Sequence, residues 1–348
     1  MPLPPLYGHE GIRNRLVGAI ASGRLPQALL FEGPRGVGKQ RLALWLAQAL
    51  LCETTGGKGE PCSSCHSCRL ATSVTHPDVH WFVPIEPARK GGDADKRIDL
   101  ATEALAEEMA ARREQPLYDP PSGLASHGIA SVRLLLRRLA LTPVMGRRKV
   151  FIIGDAERLV PQRANPEAAN ALLKALEEPP SDTVFVLTAS DPNAMLPTIL
   201  SRIVHVRVPR LPDSVVATFV QQQLKPAPKG EELTRKVAAA EGCIGRVLAL
   251  EGGASGIEAA KSFLVGVRNG GGMSKSYAFA LAQAPFQARG GFTEMLDGLL
   301  DRLRAEARAG GETRKLVEAI ARVLEAREMA QGNVNPQLLA AVLAEDLL

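Results

Sequence analysis

The sequence predicts an α/β domain built on a five-stranded parallel sheet, followed by all-helical chain to its end. Three observations predict it. Five short apolar runs alternate with helical patterns over the first 208 residues. A glycine-rich loop joins the first strand to the next helix. After Val208 the strand pattern stops, Pro209 and Pro212 punctuate the chain, and Leu, Val and Ala recur at helical spacing.

In order, the strands are Ala28–Phe31, Val79–Val83, Val150–Ile153, Thr183–Leu187 and Ile203–Val208. Several are nearly continuous hydrophobics, as strands covered on both faces of a parallel sheet are. Helical spacing marks Arg41–Leu51, Ser131–Ala140 and Pro166–Glu178. Residues 86–128, a charged helix followed by Pro120-Pro121-Ser122-Gly123, read as a surface insertion. The division expected is an α/β domain over 1–208, a small helical unit over 209–255 ending in the Gly252–Gly256 linker, and a helical block over 256–348 that includes Lys315–Leu324 and Pro336–Leu348.

The chain has 348 residues, 45% hydrophobic and 23% charged, ordinary for a folded protein of two or three domains. No apolar run approaches the ~18–20 residues of a membrane span. The start, Met1-Pro2-Leu3-Pro4-Pro5, has no signal-peptide character, so a cytoplasmic protein is expected. Lys and Arg number 42 against 37 Asp and Glu, a net +5 compatible with nucleic-acid contact and not diagnostic of it. Aromatics at 4% argue against a base-stacking platform.

Gly33-Pro34-Arg35-Gly36-Val37-Gly38-Lys39 fits G-x-x-x-x-G-K between a strand and a helix. Such glycines turn backbone N–H groups toward phosphate oxygens, the lysine neutralises charge, and the helix N-terminus adds its positive end. Gln40 stands where Ser or Thr normally gives Mg²⁺ a hydroxyl. The run Val150–Ile153 should lead into an Asp for the metal and then an acid that orients water, but Gly154 and Asp155 follow. Phosphates can still be held, so ATP binding stays open, while both departures argue against hydrolysis.

Four of the five cysteines, Cys52, Cys62, Cys65 and Cys68, crowd into 17 residues, with Gly56, Gly57 and Gly59 allowing tight turns. Four thiolates suit tetrahedral Zn²⁺ with no position left for water, hence a structural metal; four free thiols are the bland alternative. His66 could replace one ligand. Cys243 reads as a buried small hydrophobe.

These features, with Asn170–Pro180 (NALLKALEEPP) and Leu196–Arg202 (LPTILSR), closely resemble the AAA+ clamp-loader subunits of bacterial DNA polymerase III over essentially the whole chain. The resemblance implies a P-loop AAA+ domain with a zinc insertion, a helical lid and a C-terminal collar that drives oligomerisation. It implies partners too: gamma/tau and delta subunits in a hetero-pentamer, and through them the sliding clamp and primed DNA. The motor (gamma/tau) pattern has G-K-[ST], an Asp-Glu pair and a lid arginine. Here stand Gln40, Gly154-Asp155 and Gly245, with Arg246 one residue late, so the resemblance points to the stator rather than the motor. It further implies that Arg202 reaches the γ-phosphate of ATP on a neighbour, although Ile203 replaces the Cys of the family's Ser-Arg-Cys. Without the resemblance, Arg202 also reads as a surface salt bridge, and Glu177 and Glu178 as a solvated helix end as much as an interface. The alternatives are an ATP-hydrolysing motor or other DNA-remodelling ATPase, disfavoured by Gln40 and Gly154, and a zinc-dependent DNA reader, which lacks a basic reading helix.

Overall fold

The computed structural model describes residues 3–55, 59–86, 93–114, 125–159, 167–251, 255–268, 288–308, 313–330 and 334–347. Contacts gather the chain into two compact units that divide at residue 248, inside the last helix described with the first. In the first, α1 (Glu10–Ala21), β1 (Ala28–Glu32), α2 (Lys39–Leu51), α3 (His66–Thr72), β2 (Val79–Phe82), α4 (Ala94–Glu114), α5 (Ile129–Leu139), β3 (Lys149–Ile153), α6 (Glu167–Glu177), β4 (Thr183–Ala189), α7 (Pro197–Leu200) and β5 (Val204–Arg207) precede three helices, α8 (Asp213–Gln223), α9 (Gly230–Ala240) and α10 (Ile244–Glu251).

All five strands pair in parallel in the order β2-β3-β4-β1-β5. The central strands are buried along their length, as their unbroken apolar runs predict. β5 differs. Among the described residues it pairs only with β1, Val204 is exposed, and its apolar residues line a sheet edge rather than a covered strand. Burial also reaches Lys149 at the start of β3, whose ammonium donates to the Leu139 and Leu141 carbonyls. α2 lies against the sheet with eleven of its thirteen residues buried, so the helix that begins at the glycine loop is locked in the core. Apolar residues at i, i+4 and i+8, namely Ile12, Leu16 and Ile20, pin α1 to the same core.

The region 86–128 is more than a surface insertion. α4 contributes Ile98, Ala101 and Leu105 to the main core, and Ser126 bridges to Ile85. Its charged faces hid a buried stripe at i, i+3, i+7. Residues 115–124, with Pro120-Pro121-Ser122-Gly123, lie outside the described residues, as do Gly56, Gly57, Pro166 and 252–254 of the expected linker.

Helices α8–α10 surround a separate apolar cluster that includes Leu211, Val216, Phe219, Val220 and Val247. The second unit is helical: α11 (Ser255–Arg268), α12 (Ala288–Arg308), α13 (Thr313–Ala330) and α14 (Pro336–Asp346) bury Phe263, Leu296, Leu299, Val323 and Leu343 among them. No helix among the described residues is long and apolar enough to cross a membrane.

Candidate functional site

β1 ends at Glu32 and α2 begins at Lys39, so the loop between them is short and its shape depends on glycine. Gly33, Gly36 and Gly38 have φ of 156°, 79° and 105°. A side chain at Gly33 would also run into the Val208 carbonyl oxygen. Within the loop Val37 is fully buried and Arg35 exposed. Lys39 is 6% exposed, and its ammonium donates to Gly33 O at 2.8 Å, Pro34 O at 2.9 Å and Ser190 Oγ at 2.9 Å. Those three bonds use its three protons inside the protein. Burial lowers the lysine's pKa, opposed by the Glu157 and Asp155 carboxylates.

One backbone and one side chain close over the loop. The Gly245 N–H, at the start of α10, donates to Gly36 O at 2.8 Å. A Cβ on Gly245 would lie 2.6 Å from the Gly36 Cα, so the two glycines meet face to face. On the other side the His9 ring donates from Nε2 to Val37 O at 3.0 Å. Arg246, beside the lid-arginine position, turns to Glu241 at 2.7 Å.

The side chain of Gln40, at the position where the loop pattern expects a metal-directing hydroxyl, turns toward Gly154 and Asp155. Its Nε2 donates to Asp155 Oδ2 at 3.1 Å, and its amide group lies where a side chain on Gly154 would go, 2.8 Å from an added Cβ. The two departures from the Mg²⁺ pattern are thus one packing solution: the amide fills the space the missing carboxylate would take. Gln40 Oε1 is buried with no hydrogen bond among the described residues. These residues do not fit a metal-bound nucleotide.

Beside Lys39 and Gly154 lie two residues that sequence reasoning did not single out. Glu157 accepts from the Ser190 N–H at 3.0 Å, and burial, with the Asp155 charge second, pushes it up to about 7. His127, 2% exposed, donates from Nε2 to Gly154 O at 2.7 Å; burial pulls it down to about 4, which keeps it neutral. A lone histidine or glutamate carries no sequence signal; only the fold brings Glu157 near Lys39 and His127 onto Gly154.

The glycines predict a pair of unequal outcomes. Gly33→Ala should destabilise by about 3 kcal/mol, from the positive φ and an immovable carbonyl. Gly154→Ala should cost about 1 kcal/mol, because a flexible amide can swing away and forfeit one hydrogen bond. In a Gln40→Ala background Gly154→Ala should be neutral within about 0.5 kcal/mol. Urea unfolding of the single and double variants checks both.

The four cysteines converge as their spacing predicts. Cys52 ends α2, Cys68 lies in α3, and Cys62 and Cys65 sit on the turn between. Their four sulfurs lie within 4.8 Å of one another, with Cys62 and Cys68 at 4.0 Å, and none is in a disulfide. Around a metal with Zn–S of about 2.3 Å, tetrahedral sulfurs stand roughly 3.8 Å apart, so the donor set fits. Hydrogen bonds from the Ser64 and Thr54 hydroxyls, helped by backbone N–H groups, pull Cys62 down to about 5, whereas burial pushes Cys68 up. His66 is exposed and outside this cluster, and Cys243 is fully buried in the main core.

Arg202 lies in the turn between α7 and β5. Its Nη1 donates to Thr198 O at 2.8 Å and its Nε faces Glu177 Oε2 at 3.3 Å. The helix end Glu177 thus holds the arginine, a link that sequence spacing could not reveal. Glu178, after α6, continues the helical hydrogen bonding with its N–H to Lys174 O.

A parallel sheet in this strand order, a glycine loop before α2 and a helical cluster leaning on that loop define a P-loop domain of the AAA+ class, one whose metal position is filled by its own glutamine. The family described as DNA polymerase III, delta subunit, matches residues 8–212, and the chain belongs to that family. It is 32% identical over 216 residues to the DNA polymerase III subunit delta' of Bacillus subtilis, covering 62% of this chain and 52% of the relative. It is 35% identical over 182 residues to the delta' subunit of Pseudomonas aeruginosa, covering 52% and 43%. The chain therefore spans about half the length of these curated relatives. With subunit tau of Escherichia coli it shares 32% identity over 197 residues, 57% of this chain and 24% of that one. A crystal structure of a gamma-subunit-related protein from Thermotoga maritima aligns over 97% of this chain and 99% of its own, at 17% identity and a TM-score of 0.46.

Proposed function

We propose that this chain is a delta-prime-type stator of a DNA polymerase III clamp loader. It hydrolyses no ATP itself. It assembles with gamma/tau and delta subunits in a hetero-pentamer, lends Arg202 to the ATP site of a neighbouring subunit, and helps place a sliding clamp on primed DNA in the cytoplasm. The observation that carries this reading is the Gln40 amide packed against Gly154 in the metal position, in a chain of this family. A subunit that cannot hold the metal contributes to catalysis only through what it offers a neighbour.

What Arg202 can offer follows from its chemistry. A guanidinium is planar and always charged, and its fork matches phosphate oxygens. Glu177 faces its Nε and Thr198 O takes one Nη1 proton, and the guanidinium's remaining N–H donors are what it can offer a phosphate. Charge that develops on a phosphoryl group in the transition state is what such a group stabilises. Cys52, Cys62, Cys65 and Cys68 would hold one Zn²⁺, which would tie the α2–α3 connection together and take no part in chemistry. Residues 209–255 serve as a lid and 256–348 as the collar through which subunits assemble.

The test is ATP turnover by the purified chain and by the reconstituted complex. The isolated chain should release no phosphate above background, and the complex should turn over. Steady-state hydrolysis by the isolated chain on the order of 1 s⁻¹ would instead support the motor reading, which the gamma/tau relatives favour.

A further inference from the structure

The turn that carries Arg202 rests on a second pair of residues. Strand register sets His205 opposite Leu30, so Glu32, two residues further along β1, lies on the same face as the imidazole. His205 Nδ1 stands 3.0 Å from Glu32 Oε2. Its other nitrogen, Nε2, is 3.3 Å from the carbonyl oxygen of Leu200, the last residue of α7 and two before Arg202. The Arg202 N–H in turn donates to Ile199 O at 3.0 Å. The ring thus spans the gap between the end of β1 and the arginine's own turn. Other charged groups at this edge are Arg207 on β5 and the Arg202–Glu177 pair.

We propose that His205, braced by Glu32, is a positioning residue for Arg202. It fixes the Leu200 carbonyl, and with it the angle at which the turn presents the guanidinium. Because Glu32 directly precedes Gly33, the brace also ties the arginine's position to this chain's own glycine loop. β5 is an edge strand paired on one side only, so the sheet alone holds the turn less firmly than a central strand would. This inference rests on Arg202 acting in trans.

The experiment uses the complex reconstituted with gamma/tau- and delta-type subunits, the motors' own trans arginines replaced by alanine so that only the ATP site facing this chain turns over. His205→Ala should lower kcat about tenfold with KM for ATP within about twofold, since a misaimed group weakens the transition state more than the ground state. His205→Gln, whose amide can reach Leu200 O as Nε2 does, should recover most of that loss; His205→Asn, which mimics only the Nδ1 side, should not. His205→Ala should have no further effect in an Arg202→Ala background. If His205→Ala leaves kcat unchanged while Arg202→Ala lowers it, the brace is wrong and the finger stands. If neither lowers it, the finger reading itself fails. Additive losses in the double variant also overturn the proposal, because the histidine then acts elsewhere. If His205→Ala does not enter the complex, the Gln and Asn variants decide, and equal rates for those two overturn it.

Discussion

Arg202→Ala is expected to leave this chain folded and able to assemble while removing turnover at one neighbouring ATP site. Folding should survive because the side chains of Arg202 and Glu177 are 32% and 57% exposed, and exposed ion pairs contribute about 0–1 kcal/mol. The backbone turn has its own hydrogen bonds, from Ser201 N to Pro197 O and from Arg202 N to Ile199 O. The catalytic effect should be far larger, because trans arginines contribute about 10³–10⁵ in rate. Nucleotide affinity at that site should change less than turnover, since the stabilised charge is greatest in the transition state. Arg202→Lys should rescue poorly: an ammonium is a point charge without the planar fork. Single-turnover hydrolysis in a complex where only this site is active measures the effect. An unchanged rate there would make Arg202 a salt-bridge residue for Glu177 and nothing more.

The second large effect concerns the cysteines. Metal analysis should find one Zn²⁺ per chain, and Cys62→Ser or Cys68→Ser should lose it. Structural zinc contributes about 10–16 kcal/mol in small peptides, where metal binding and folding are one event. Here the cluster is an appendage to a sheet with its own core, so the loss should be local. Chelation should open residues 52–72 to proteolysis and hydrogen exchange while the sheet stays protected. Gln48, whose Nε2 donates to Cys68 O at 3.3 Å, marks where the opening should stop. Thiol labelling adds a direct check. With zinc bound, the native protein should resist modification at the four clustered cysteines, and Cys243, at 0% exposure, should react only on unfolding. Rapid labelling of all five in the native state would show that no metal site exists.

The sheet was legible because several of its strands are nearly continuous apolar runs, and the phosphate loop and cysteine cluster because their residues are close in sequence with diagnostic spacing. What lay beyond reach was what depends on contact between distant segments. Gln40 and Gly154 read as two separate losses, yet they are one packing unit 114 residues apart in sequence. Glu177 read as a solvated helix end as much as an interface residue, and neither reading held its pairing with Arg202. α4 looked like an excursion because most of its side chains are polar, although three apolar residues suffice to bury one stripe. β5 read like its neighbours, since a β-branched run does not reveal whether a strand has one partner or two.

The meeting of Gly36 with Gly245 separates two demands usually confounded in a single motif. In a working nucleotide site, a loop glycine is needed so that backbone can approach phosphate. Here the surface that approaches Gly36 is another stretch of backbone, and any side chain on either residue would wedge the two apart. Packing alone therefore requires these two glycines, whatever the loop binds. A reader who scores only the letters would count an intact phosphate cradle. The side chain that fills space here is the one after the lysine, Gln40, whose amide lies against Gly154 and donates to Asp155.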